Sequence, residues 1–267
     1  MTKKKTVVIC SAVALMVIFA LGSSYVTHMN QSNAASHVYS HRGASGEETE
    51  HTFAAYDLAI QYGSEYIEQD VVVSKDKTLF VSHDLSAQRL TGVDALYSDL
   101  TDDEIEALST KDGQKILRLA EVFERYTDSI HYVVELKSDA DTVEQFITLV
   151  NSSGLAENII VQSLEPEVLQ TVEDAFPNMP KLLLVTNEDA FQRALGLDCA
   201  DIISVDKALM NKENCALTHE HHKSFNVWTL NSTEEIKRAI ELGVDTYFTN
   251  FTAKALLLER QYSRHSR

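Results

Sequence analysis

The stretch Tyr66–Asp84, YIEQDVVVSKDKTLFVSHD, decides the reading of this chain. It divides into two short β-type runs, the first carrying Glu68 and Asp70, the second ending on His83-Asp84. Residues i and i+2 of a strand point to one face, so Glu68 and Asp70 aim two carboxylates into one space. Acids set among Val, Ile, Tyr and Phe are costly to bury unless something cationic neutralises them. Hard oxygen donors at that spacing suit a divalent cation such as Mg²⁺ or Ca²⁺. A half-exposed edge strand with two solvated acids is the plainer alternative, and the flanking sequence has to choose.

Outward from this stretch, short β-type runs alternate with amphipathic helical ones. Upstream lie a strand over 38–42 (VYSHR) and a helix over 50–63, ended by Gly63. Downstream an irregular segment, 85–115, holds a short acidic-fronted helix capped by Thr101. Helices are expected over 119–127, 141–154, 165–176, 189–197, about 214–223 and 232–243. Between them fall strands over 131–137, 158–164, 181–187, 201–206, 225–231 and 244–250. Nearly every strand is followed by a helix through a short link, which argues for a parallel sheet. Eight or nine such units with no nucleotide-binding Gly-rich loop favour a closed TIM (β/α)8 barrel over 35–267.

A barrel of this kind carries its chemistry at the C-terminal ends of its strands. There the polar residues fall: His41-Arg42, Glu68 and Asp70, His83-Asp84, Glu135 and Lys137, and later Gln162-Ser163 and Trp228. Glu68, Asp70 and Glu135 would surround one divalent cation, flanked by His41 and His83, with Arg42 and Lys137 as fixed positive charge. A phosphodiester is the natural guest for such a set. Cation and Arg/Lys would stabilise charge on the phosphoryl oxygens, and two imidazoles supply base and acid.

The motifs HRGASG…EHT, EQDV…HD, VVELK, VQSLEPEVL and VWTLN…ELGVD together resemble the glycerophosphodiester phosphodiesterase family, over about His37 to Phe251. The resemblance implies a TIM barrel that hydrolyses glycerophosphodiesters to glycerol 3-phosphate and an alcohol with one divalent cation, Ca²⁺ or Mg²⁺. It makes His41 and His83 the catalytic pair, and Glu68, Asp70 and Glu135 the metal ligands. Arg42 and Lys137 would contact phosphate, Trp228 would line the substrate pocket, and Glu50 would support the first loop. Departures from the pattern are Thr49 before Glu50, Lys77 at a turn position, Leu164 after Ser163, and Thr249-Asn250-Phe251-Thr252 late in the chain. They bear on loop shape and headgroup choice. Rival readings are a lysophospholipase D or sphingomyelinase-D-like activity on the same barrel, and a non-catalytic domain that binds polyanions or headgroups.

Residues 1–34 read as a separate segment, with Lys3-Lys4-Lys5 before an apolar run from Val7 to Leu21 and a polar tail. That is an export signal or membrane anchor, so the barrel is expected outside the cytoplasm, secreted or tethered. The net charge of −17 disfavours nucleic acid as a partner without excluding a phosphate-bearing small substrate, and the resemblance implies a small or lipid-derived phosphodiester. Cys199 and Cys215 flank an expected strand, which would hold them about 17 Å or more apart, so no disulfide is expected. His219 and His222 read as an outer helix, His131 as a residue of the barrel's stability face, Ser163 as no nucleophile, and 260–267 as a frayed end.

Overall fold

The computed structural model describes residues 37–265, so the leader expected over 1–34 lies outside them. Nine strands follow in chain order: β1 (Val38–Ser40), β2 (Tyr66–Val73), β3 (Leu79–Val81), β4 (His131–Glu135), β5 (Ile159–Ser163), β6 (Lys181–Val185), β7 (Ile202–Asp206), β8 (Ser224–Trp228) and β9 (Thr246–Thr249). All but β3 are parallel staves, in the order β1-β9-β8-β7-β6-β5-β4-β2. A β1–β2 pairing through Ser40 and Ile67 closes the ring, giving the expected TIM barrel.

The exception corrects the sequence reading. Leu79–Val81 is not a stave: it folds back antiparallel on β2, with Val71 opposite Val81 and Val73 opposite Leu79. A tight turn leaves no alternative, because parallel neighbours need a connection of helix length. Ser74 N bonds Thr78 O at 2.9 Å, and Lys77 takes the left-handed conformation at φ 67°. His83 therefore hangs from a hairpin beside the mouth. It stays at the level of Asp70, because Ser82 N donates to Asp70 O at 3.0 Å.

Period-two alternation sorts each stave. Outward residues such as Ile67, Val71, Tyr132, Val134, Val161, Leu183, Val205 and Val227 pack beneath the helices in the main core. Inward Tyr39, Val133, Ile160, Leu182, Ile202 and Phe248 form a plug inside the barrel. Glu68, Asp70 and Glu135 share that inward face, with Asp70 in register with Glu135 and Glu68 with Val133. The plug closes the interior, so this acidic layer opens only toward the C-terminal mouth.

Three local features set up the site. Thr52 caps the first helix, Phe53–Tyr62, by accepting from Ala55 N. The helix thus starts later than the expected 50–63, leaving Glu50 and His51 in the loop. The 85–115 segment builds a small core of its own, in which Ala87, Tyr97, Ile105 and Ile116 cover Val72 and Phe80. Its helix Asp102–Glu106 carries the reciprocal Thr101/Glu104 capping box. Of the stretch 260–267 read as frayed, residues 260–265 continue helix Thr252–His265, which buries Ala255 and Leu258 and packs on the first helix and β1. Cys199 and Cys215 are free and buried. No helix among the described residues is long and apolar enough to cross a membrane.

Candidate active site

The loop after β1 is built on backbone conformations that strand and helix patterns do not encode. Arg42 and Gly43 both adopt positive φ, 58° and 81°. A Cβ on Gly43 would lie 2.6 Å from the Ala55 carbonyl carbon, so only glycine fits. A Cβ on Gly46 would meet the Phe251 ring at 2.6 Å. The Arg42 turn points its own backbone N–H at Glu68 Oε2, 2.8 Å away. His51, also left-handed at φ 58°, donates its backbone N–H to Arg42 O at 3.1 Å. Two non-glycine residues at positive φ in one loop mark a backbone held by its surroundings.

Inside the mouth Glu68 and Asp70 are fully buried and Glu135 partly so. Glu68 accepts from Arg42 N and from Gln162 Nε2 at 3.0 Å, yet burial and the charge of Asp70 hold its carboxyl well above the usual range. Asp70 goes the other way. Burial opposes its ionisation, but His51, Lys137 and Arg42 hold it well below the usual range. His51 Nε2 lies 2.9 Å from Asp70 Oδ2 and Arg42 Nε 3.2 Å from the same oxygen, while Lys137 Nζ lies 3.4 Å from Oδ1. Glu135 pairs with Lys137, and burial together with the Asp70 charge pushes it up to about 7. His51 Nδ1 and the Tyr56 hydroxyl complete the buried set at 2.9 Å.

The ligand atoms of His51, Glu68 and Asp70 all lie within 4.8 Å of one another, the one group of such side chains among the described residues that could hold a metal ion; Glu135, expected as the third ligand, is not in that group. The sequence reading missed His51. It stands in the quoted EHT motif, of which only Glu50 was assigned a role. The contact arises from the two left-handed turns, for which the sequence offers no periodic signal. Lys137 and Arg42, expected on phosphate, direct their charge at carboxylates of the site.

His41 is partly buried, and its Nδ1 lies 2.7 Å from Asn250 Oδ1. Burial, aided by the Arg42 guanidinium, pushes its pKa down to about 4. An amide oxygen only accepts, so this contact calls for the proton on Nδ1 and leaves Nε2 as the basic atom of the neutral ring. His83 is more exposed, and its Nδ1 lies 2.6 Å from Asp84 Oδ1. Trp228, half-buried at the end of β8, donates Nε1–H to Ser204 O at 3.1 Å and rests on the interior plug. Glu50 accepts from Arg42 Nη1 at 3.1 Å and from both terminal nitrogens of Arg89.

The features set aside have plain structural roles. Ser163 Oγ donates to Leu136 O and accepts from Glu165 N, bracing a loop. His131 stacks on Tyr66 at 4.9 Å where β2 and β4 begin. His219 Nε2 pairs with Asp245 Oδ2 at 2.7 Å on the exposed surface.

A (β/α)8 barrel whose mouth joins buried acids, fixed cations and two imidazoles defines a hydrolase for anionic esters. The model of the glycerophosphoryl diester phosphodiesterase family matches residues 41–254, and the chain belongs to that family. It is a phosphoric diester hydrolase. A glycerophosphodiester phosphodiesterase of Bacillus subtilis (strain 168) is 28% identical, covering 79% of this chain and 82% of its own. The human lysophospholipase D GDPD1 is 25% identical, covering 80% of this chain and 83% of its own. An Oleispira antarctica phosphodiesterase, solved in complex with its product sn-glycerol-3-phosphate, superposes with a TM-score of 0.74. At 20% identity, over 84% of this chain and 97% of that one, the likeness shows the fold alone.

Proposed function

We propose that the protein hydrolyses glycerophosphodiesters to glycerol 3-phosphate and an alcohol at the C-terminal mouth of the barrel. The observation that carries this reading is a chain of contacts that joins Glu68 to Arg42, Arg42 to Asp70, Asp70 to Lys137 and Lys137 to Glu135 at the mouth of the barrel. The donor set fits a hard divalent cation: three carboxyls, two of them raised in pKa, share two permanent positive charges. Glu68, Asp70 and Glu135 would hold Ca²⁺ or Mg²⁺, with His51 beside them. Such an ion, when bound, stabilises negative charge on phosphoryl oxygens.

The chain's own groups do the rest. Arg42 and Lys137 orient the phosphoryl group. Neutral His41 takes the proton from the nucleophile, which is water or the substrate's own neighbouring hydroxyl through a cyclic phosphate. His83, its Nδ1 fixed by Asp84, gives a proton to the leaving alkoxide. Trp228 lines the alcohol side of the pocket, and Glu50 holds Arg42 in place. Release of glycerol 3-phosphate from glycerophosphocholine, with Ca²⁺ or Mg²⁺ supplied, tests the reading. A rate equal to that of a His41→Ala variant would sink it.

A second reading, hydrolysis of lipid-tailed substrates, is favoured by apolar residues near the mouth. Leu85 (58% exposed) directly follows His83-Asp84, and the Ser86–Leu96 bridge brings Leu96 (46%) alongside. Leu164 (50%) follows β5. Lysophosphatidylcholine assayed against glycerophosphocholine separates the two. For residues 1–34 the reading remains export or anchoring, which places the enzyme outside the cytoplasm; surface proteolysis of intact cells checks it.

A further inference from the structure

Arg89 sits on the short helix Gln88–Thr91, within the segment that sequence patterns leave irregular. Its guanidinium is satisfied on two sides at once. Nε donates to Asp84 Oδ2 at 2.5 Å, while Nη1 and Nη2 donate to Glu50 Oε2 and Oε1 at 2.9 and 2.7 Å. The two carboxylates belong to different loops and have different second partners. Asp84 holds His83 Nδ1 at 2.6 Å, and Glu50 holds Arg42 Nη1 at 3.1 Å. One planar fork thus joins the hairpin that carries His83 to the loop that carries Arg42.

An isolated exposed ion pair is worth little. This one differs in geometry: a bidentate pair on Glu50 and a third bond to Asp84 use the fork that guanidinium offers and ammonium lacks. Both carboxylates are held below their ordinary range, Glu50 at about 2, so both remain acceptors at neutral pH. Among the described residues no other side chain bonds both carboxylates.

We propose that Arg89 is a positioning residue that sets His83 and Arg42 relative to each other, so that proton transfer and phosphoryl binding share one geometry. The inference rests on the roles given above to His83 and Arg42. Arg89 bonds the carboxylates that hold His83 and Arg42, so its effect is expected to pass through those two side chains.

The test is a double-mutant cycle on the full chain, with glycerophosphocholine as substrate. Misplacement of a reacting group by about 1 Å costs on the order of 100-fold, so Arg89→Ala is expected to lower kcat by about that factor while KM rises only a few-fold. Arg89→Lys keeps the charge but not the fork, and is expected to recover little. Added methylguanidinium should restore part of the kcat of Arg89→Ala and none of that of Arg89→Lys. In a His83→Ala background, Arg89→Ala should cost only a few-fold more. Full additivity in that background, or wild-type kcat for Arg89→Lys, would overturn the proposal while leaving His83 as a catalytic residue. A wild-type rate for His83→Ala alone would overturn the reading beneath it. Urea midpoints measured alongside confirm that each variant is folded, and methylguanidinium rescue stands as the readout that a merely structural role would not give.

Discussion

Replacing Glu50 with glutamine removes a charge and almost no volume, and its consequence for stability depends on pH in a direction the structure fixes. The side chain is 17% exposed and bonded to both Arg42 and Arg89. Burial pushes its pKa up, but the hydrogen bonds from Arg89 and the charges of His51 and Arg42 win and hold it at about 2, against an ordinary 4.5. A carboxyl depressed on folding contributes stability that is fully present above the unfolded pKa and lost as pH falls through the folded one. Between 4.5 and about 2 the difference corresponds to about 3 kcal/mol at neutral pH. Solvent screening around the half-exposed Arg89 reduces that to about 2 kcal/mol. Urea unfolding followed by the fluorescence of the single tryptophan, Trp228, measures the gap between wild type and Glu50→Gln. It should be about 2 kcal/mol at pH 7 and less than half of that at pH 3. A gap that stays constant, or widens on acidification, refutes the assignment of Glu50 as an ionised carboxylate shared by two arginines.

Three further outcomes are expected. The His41 ring should titrate near 4 by NMR, and Arg42→Gln should move that midpoint upward while burial keeps it below the ordinary 6.5; an unmoved midpoint would remove Arg42 as a cause. Gly43→Ala forces a methyl group against the Ala55 backbone at φ +81° and should destabilise the fold by more than about 2 kcal/mol in urea. Saturating Ca²⁺ or Mg²⁺ should raise the melting temperature by about 5 °C or more, and much less in a Glu68→Gln, Asp70→Asn double variant; equal shifts would place the ion elsewhere.

The barrel was legible because its signal is repetitive. Strands such as Ile159–Ser163 and Ile202–Asp206 are short apolar runs followed by helices through short links, and period-two alternation puts Glu68 and Asp70 on one face. Features that do not repeat were harder to read. The contact of His51 with Asp70 needs left-handed residues at both Arg42 and His51, and neither residue type announces that conformation. Arg89 lies where no period holds, five residues from Asp84 and far in sequence from Glu50. Two differences were readable from physics. A turn as short as Ser74–Thr78 cannot join parallel strands, which makes Leu79–Val81 a hairpin partner. Ala255 and Leu258, three apart, mark the buried face of a helix that runs on into 260–265.

The charges of the site explain why the loops must be so constrained. Taking Glu68 and Asp70 out of water is tolerable only if compensating groups are brought to them, and a plugged barrel admits those groups only from the mouth. Lys137 arrives two residues beyond Glu135, near the same stave. Arg42 must turn back from the end of β1, and the left-handed turn lets its backbone N–H reach Glu68 while its side chain reaches Asp70 and Glu50. Once placed, the same guanidinium helps keep His41 neutral, so the cation that steadies the acids also leaves an imidazole able to accept a proton. The strain at Arg42 and His51 is thus tied to burial of the acids: relax either turn, and Asp70 loses a cation or a hydrogen bond where water cannot replace it.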